Sequence, residues 1–250
     1  MDTKMKIAII GGTSAIAEHC ARLWVERGAV ELTLVGRDGS KLEHIAADLR
    51  VRGPGCALHC LTTDFLDPVT IAATAARISG ERAPDIVLIA HGHLPAQAQC
   101  QEDLGICREA LEINGVSPAL FAEAFAKHMQ AAGRGTLALV GSVAGDRGKR
   151  SNYSYGAAKG LVARYAEGLR HRFAGTRIKI VLIKPGPTDT PMTAALHSRG
   201  ARLAPVETVA REIVQGIDRG QAVVYTPSRW RAIMLVIRHL PNWLFGRLDI

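Results

Sequence analysis

The sequence predicts an α/β fold, a doubly wound parallel sheet of six to seven strands with helices on both faces, on three observations. Short β-branched runs alternate with longer amphipathic stretches, several of those runs are apolar almost throughout, and the first leads through a glycine pair into a helix-period segment. Alternation puts each helix in a crossover between parallel strands, and a strand buried on both faces has no polar side to show.

In order along the chain, KIAII at 6–10 opens the sheet, followed by ELTLV at 31–35, CALHCL at 56–61, DIVLIA at 85–90, GTLALV at 135–140 and IKIVLI at 178–183. The spacing predicts helices over about 14–27, 39–52, 67–79, 104–131 and 155–173 between them. A further helix over about 205–218 opens near Pro205, whose fixed φ suits a helix start, and AVVY at 222–225 adds a seventh strand. The polar stretches 91–103 and 188–202 read as connections placed to gate a substrate. With no repeat, linker or low-complexity segment, the 250 residues read as one large domain over 1–250, ending in an amphipathic tail over 229–250.

Bulk composition narrows the classes of function. Lys plus Arg number 31 against 23 Asp plus Glu, and the formal charge of +8 favours anionic partners. Nucleic acid is set aside, because no recognition motif or aromatic-interleaved basic surface accompanies the charge. Cys20, Cys56, Cys60, Cys100 and Cys107 are an odd set without a CxxC pair, which fits reduced thiols in a cytosolic chain, and no metal set is expected. The apolar run after MDTKMK is too short for a signal peptide, and AIMLVI at 232–237 falls far short of the ~20 residues of a spanning helix. A cytoplasmic protein is expected.

The first turn carries the first chemistry. Gly11 and Gly12 follow KIAII directly, and Thr13 and Ser14 stand where N-cap hydroxyls would meet the free amides of the next helix. Such a turn lets backbone approach a pyrophosphate, whose charge the helix dipole favours. Ala15 and Ala17 replace the usual second and third glycines, and an ordinary strand-to-helix turn has the same residues, so this stretch alone leaves both readings open. Beyond ELTLV, the slot that holds an acid in NAD-selective folds carries Gly36, followed by Arg37 and Asp38. Arg37 can pair with a 2′-phosphate in bidentate fashion, which favours NADP(H) over NAD(H), although Asp38 stands close enough to take the ribose.

Ser142 closes LALVGS, and Tyr155 and Lys159 in SYGAAK share one helix face at i and i+4. A nearby ammonium is expected to pull a phenol from its reference pKa of about 10 toward neutrality, making it a usable acid or base. Ser142, at the carboxyl end of a strand, can hydrogen-bond a carbonyl as hydride arrives. Together these residues read as a ketone-reducing site, though a structural Tyr–Lys pair has the same spacing.

The glycine turn, Asn114, Ser142, the YxxxK motif and PGPTDT at 185–190, in this order over essentially the whole chain, resemble the short-chain dehydrogenase/reductases and their Rossmann-type sheet. The resemblance implies that Tyr155 is the catalytic acid/base, that Lys159 lowers its pKa and binds the nicotinamide ribose, that Ser142 orients the carbonyl and that Asn114 holds the water of a proton relay. It further implies that Gly11, Thr13, Ser14, Ile16, Arg37 and Gly92 contact the cofactor, Asp64 the adenine, and Pro185, Gly186, Thr188 and Thr190 the nicotinamide side. A homo-oligomer is expected on the same ground. Ala15, Ala17 and the run Ile89, Ala90, His91 and Gly92, which replaces the family's Asn-Asn-Ala-Gly, depart from the pattern in binding regions.

Within the family, GDRGKRSNYSYGAAKG, VLIKPGPTDTPM and the tail resemble reductases of polyprenyl-phosphate-linked 2-keto-pentoses. A lipid-linked keto-sugar substrate and a separate flavin-dependent oxidase partner are implied. Arg147, Lys149 and Arg150 are then candidates for the substrate's phosphate. In the tail, Trp230, Ile233, Met234, Ile237 and Leu240 fall at helical spacing beside Arg229, Arg231, Arg238 and His239. Peripheral contact with the inner face of a membrane and packing on protein fit this pattern equally. The altered cofactor loops leave one alternative, a non-catalytic dinucleotide-binding sensor or scaffold.

Overall fold

The computed structural model describes residues 4–198 and 200–248; residues 1–3, 199 and the last two of the tail, 249–250, lie outside it. The chain runs β1 (Met5–Ile10), α1 (Ala15–Arg27), β2 (Val30–Gly36), α2 (Gly39–Arg52), β3 (Ala57–Thr62), α3 (Pro68–Ser79), β4 (Ile86–Ile89), α4 (Gln97–Glu102) and α5 (Leu104–Leu111). It continues α6 (Ser117–Ala132), β5 (Arg134–Val140), α7 (Tyr153–Arg172), β6 (Arg177–Pro185), α8 (Ala194–His197), α9 (Val206–Asp218), β7 (Val223–Thr226), α10 (Trp230–His239) and α11 (Asn242–Phe245). The strands form one parallel sheet in the order β3-β2-β1-β4-β5-β6-β7, which contains every expected strand.

β1 shows why its run carries no polar residue at its centre. Ile7 and Ile9 enter a core with Trp24 of α1, Leu42 of α2 and Ile213 of α9, while Ala8 and Ile10 enter the opposite core with Phe121 and Phe125 of α6 and Val162 of α7. Successive side chains point to opposite faces, and both faces are covered. Because β1 pairs with both β2 and β4, chain order reverses direction there, and a crevice opens beyond the carboxyl ends of these strands.

Helix starts follow local chemistry. Asp67 caps α3 by accepting from the Thr70 amide at 2.9 Å, with Pro68 at the first helical position, and Asp38 and Asp103 cap α2 and α5 in the same manner. The helix expected over 104–131 is interrupted by a π-turn at Glu112–Val116, which separates α5 from α6. The stretch 91–103, expected as a loop, contains α4. Among the described residues no helix is long and apolar enough to cross a membrane.

Candidate active site

The glycine turn is fastened to β2, because the amides of Gly11 and Gly12 both donate to the Val35 carbonyl, at 2.9 and 2.8 Å. Gly11 has φ +89°, and a Cβ there would lie 2.5 Å from the His91 backbone nitrogen, so neither the conformation nor the space admits a side chain. The expected hydroxyl cap is not made: Ser14 occupies the N-cap of α1 without a side-chain bond to it. The first amides of a helix have no intrahelical acceptor, so this end presents donors and partial positive charge to an anion.

A cavity of about 440 Å³ opens over that helix start. Of the expected cofactor residues, Gly11, Thr13, Ser14, Ile16, Arg37, Asp64, Gly92 and Thr190 line it. Pro185, Gly186 and Thr188 do not, nor do Tyr155 and Lys159. Pro185 ends β6 beside Thr226 of β7, and the buried Thr188 turns its hydroxyl to the Gly186 carbonyl at 2.9 Å. The two alanines also separate: Ala15 lines the cavity, whereas Ala17 is fully buried in the core against the sheet.

The charges at the far end of the cavity favour a phosphorylated ribose. Asp38 is committed to its own helix: it accepts from the Lys41 amide at 3.1 Å and pairs with the Lys41 ammonium at 3.5 Å, which hold its carboxyl below the usual range. Arg37 and Lys41 both line the cavity. Lys41 was not singled out in the sequence, where only its place in the first turn after Arg37 and Asp38 marks it. Free helix amides with two cations form a donor set that fits a dinucleotide carrying an additional phosphate.

None of the four side chains expected to carry the chemistry lines this cavity, but two of them, Asn114 and Lys159, stand directly behind Gly92, which does. Ser142 directly follows the end of β5, and its Oγ accepts from the Ala144 amide at 3.1 Å to start a tight turn over Val143–Gly145. One face of α7 brings up Tyr155 and Lys159, and the Lys159 Nζ stands 5.7 Å from the centre of the Tyr155 ring. Asn114 sits in the π-turn, fully buried, with its amide nitrogen donating to the Ala110 carbonyl at 2.9 Å and its oxygen accepting from the His93 amide at 3.0 Å. A Cβ on Gly92 would lie 2.6 Å from the Asn114 oxygen and 3.5 Å from the Lys159 Nζ, so these groups converge on the cavity wall. Such π-turns occur often at functional sites, and nothing in the residue pattern announced this one.

The expected shift of Tyr155 is reversed in the protein alone. Burial pushes its phenol up to about 12, opposed by a hydrogen bond from Ser142. Burial likewise brings Lys159 down to about 8, and its ammonium donates to the Val140 carbonyl at 2.9 Å. Desolvation therefore outweighs the attraction of the cation for a phenolate.

His91, at the departure from the family pattern, is buried with its Nε2 2.9 Å from the Ser117 hydroxyl and its ring edge-on to Phe65 and Phe121. Burial first, then the charges of Lys159 and Arg37, lowers its pKa to about 3, so the imidazole is neutral.

Residues after Ser142 are tied to the end of the chain. Asp146 accepts from the Lys184 ammonium and from the Tyr225 hydroxyl, the latter at 2.8 Å. Arg147 donates to the carbonyls of Ile237 and Leu240, both at 2.6 Å, and to Asn242 Oδ1 at 2.9 Å, and it lies 3.8 Å over the Phe245 ring. It is thus committed to the tail, not to a substrate phosphate. Trp230 of α10 packs its indole edge on Gly186, where a Cβ would fall 1.9 Å from Nε1. Close approach of the tail is the reason for that glycine.

Known proteins share this chain's sequence pattern and its fold. Residues 5–200 match the family described as short chain dehydrogenase. The chain is 31% identical over 249 residues to an uncharacterized oxidoreductase of Streptomyces coelicolor, covering 98% of this chain and 96% of that one. It is 30% identical to an uncharacterized oxidoreductase of Mycobacterium tuberculosis, over 97% of this chain and 96% of the relative. A solved short-chain dehydrogenase from Sphingobium yanoikuyae in complex with NADPH superposes with a TM-score of 0.82 at 24% identity, covering 98% of this chain and 96% of that one, and so shares the fold. The chain is an oxidoreductase of the short chain dehydrogenase family.

Proposed function

We propose that this protein is an NADP(H)-dependent ketoreductase in which Tyr155 gives its proton to the oxygen of a bound ketone. The observation that carries the reading is the chain of contacts from Ser142 to Tyr155 to Lys159, with Lys159 and Asn114 behind Gly92 in the wall of a cavity that has a helix start suited to an anion. When bound, the reduced nicotinamide supplies hydride. A phenol pushed up to about 12 remains protonated at neutral pH, the state a general acid needs. Ser142 can hydrogen-bond the substrate oxygen and hold it at that phenol. Lys159 is placed to favour the phenolate once the proton has left, and with a pKa of about 8 it remains mostly charged at neutral pH. Arg37 and Lys41 would hold the 2′-phosphate, and the NADPH in the Sphingobium yanoikuyae enzyme supports that choice over NAD(H).

For the substrate we take a polyprenyl-phosphate-linked 2-keto-pentose, reduced as in the ketoreductase component of decaprenylphosphoryl-ribose 2′-epimerase and delivered by a separate flavin-dependent oxidase. Its support is the resemblance of residues 145–160 and 181–192 and of the tail. With Arg147 committed to the tail, half-buried Lys149 is the cation of that loop nearest to this role. Such a substrate places the protein in the cytoplasm, peripheral to the inner face of the membrane. A homo-oligomer belongs to the same reading, and the exposed Leu104, Leu111 and Leu161 on α5 and α7 suit contact with a second copy.

The test is NADPH oxidation by purified protein offered simple ketones and the lipid-linked 2-keto-pentose, with products identified by mass spectrometry. Turnover with simple ketones alone removes the lipid-linked substrate and keeps the reductase. Tight NADPH binding without turnover on any ketone returns the sensor or scaffold reading.

A further inference from the structure

We propose that the outer face of α10 and α11 docks this protein onto a lipid surface carrying anionic headgroups. The two sides of α10 make the case. Its inner side is covered by the protein: Met234 is buried, Trp230 rests on Gly186, and Arg147 takes the Ile237 and Leu240 carbonyls. Its outer side carries Leu235 and Val236, 60% and 61% exposed, and α11 adds Trp243 at 67%. The chain covers the apolar residues of α10 on one side and leaves Leu235 and Val236 uncovered.

Charge selects what covers the other. After Asp218 the sequence has five arginines, Arg219, Arg229, Arg231, Arg238 and Arg247, against one acidic residue, Asp249. Arg238 is held by the Tyr225 hydroxyl, which leaves the exposed Arg231 on α10 and Arg247 after α11 as cations of this surface. A second copy related by a two-fold axis would set this surface against itself, arginine facing arginine with Asp249 the one acidic side chain of the segment to answer. An anionic bilayer supplies the countercharge, takes the apolar pair below the headgroups and accommodates an indole at their level. Arg247 lies 5.9 Å from the centre of the Trp243 ring, so cation and indole are presented together.

The surface is also fixed relative to the active site. Arg147 stands five residues beyond Ser142, and its bonds to Ile237, Leu240 and Asn242 hold the tail to the loop that Ser142 begins. Docking would therefore hold the Ser142 loop at a set distance from the bilayer. The inference does not depend on which ketone is reduced.

The experiment is flotation of the full-length protein with vesicles of phosphatidylcholine, alone or mixed with phosphatidylglycerol. Leu235→Gln/Val236→Gln/Trp243→Gln and Arg231→Gln/Arg247→Gln variants are run beside it, and thermal melts and NADPH binding show that each remains folded. The wild type is expected to float with the anionic vesicles alone, and either variant to lose about tenfold of the bound fraction. Raising the salt should release the wild type. Failure of the wild type to float, or equal flotation of all proteins, overturns the proposal. So does sedimentation velocity in which the glutamine triple variant dissolves a wild-type dimer that ignores vesicles, because the cover is then a second copy.

Discussion

The glycine turn and the Ser142 loop lie at the same edge of the sheet and are completed in opposite ways. At the turn, Ser14 makes no cap bond, and Arg37 and Lys41 border open space. Past Ser142, Asp146 is answered by Lys184 and Tyr225, and Arg147 by the tail. Unsatisfied donors beside a cavity are tolerable where an anion completes them, whereas a loop that must hold a hydroxyl in place gains from fixed partners of its own. One region offers its donors to a ligand, and the last part of the chain has closed the other.

The strongest way to separate the two regions is Tyr155→Phe. Ketone reduction should fall about 10²–10⁴-fold, while the NADPH dissociation constant from fluorescence titration stays within about twofold. Retained turnover would remove the acid from the mechanism.

His91, packed beneath the glycine turn, should make the wild type acid-labile. Its folded pKa of about 3 lies below the unfolded value of 6.5, so the unfolded state binds the extra proton in that window. The stability it contributes is complete above pH 6.5 and is lost as pH falls toward 3, at about 1.4 kcal/mol per unit. In urea titrations across that range, His91→Phe should flatten the slope; an unchanged slope assigns the acid lability to other groups.

Arg147→Ala tests whether the tail completes the Ser142 loop. Removing charge-assisted bonds should cost on the order of 2–3 kcal/mol in urea unfolding and raise KM for the ketone, with NADPH affinity unmoved. If both ligands weaken alike, the two regions are not independent.

Arg37→Ser should weaken NADPH about tenfold and leave NADH nearly unchanged, as expected when one charge-assisted pair to a phosphate is lost. Equal loss for both cofactors would mean that Arg37 does not read the 2′ position.

The smallest effects divide the two alanines. Ala15→Gly should shift NADPH affinity by less than about threefold, whereas Ala17→Gly should cost up to ~1 kcal/mol of stability with no change in affinity. The same titration and urea data decide both.

The strands and most helices were legible because their signals are local: period-2 and period-3.6 patterns and a glycine turn act within a few residues. The site was legible in part. Tyr155 and Lys159 share a helix face by backbone geometry alone, and Arg37 follows β2 by position. Asn114's π-turn was hidden within a continuous helical pattern, since one extra residue in a turn leaves no compositional mark. Ala15 and Ala17 looked equivalent until the rotation of α1 sent one to the cavity and the other into the core.

Sequence alone determined the sheet and the order of its elements along the chain, and it nominated the reactive groups, because backbone periodicity and residue chemistry are short-range properties. The tertiary structure decided which charges remain available and how far each proton shifts. Arg147 meets Leu240, 93 residues along the chain. The Tyr155 phenol is pushed up because surrounding elements exclude water from it, not because of its neighbours in sequence. Desolvation and long-range pairing depend on what the folded chain brings near, and spacing along the sequence does not carry that information.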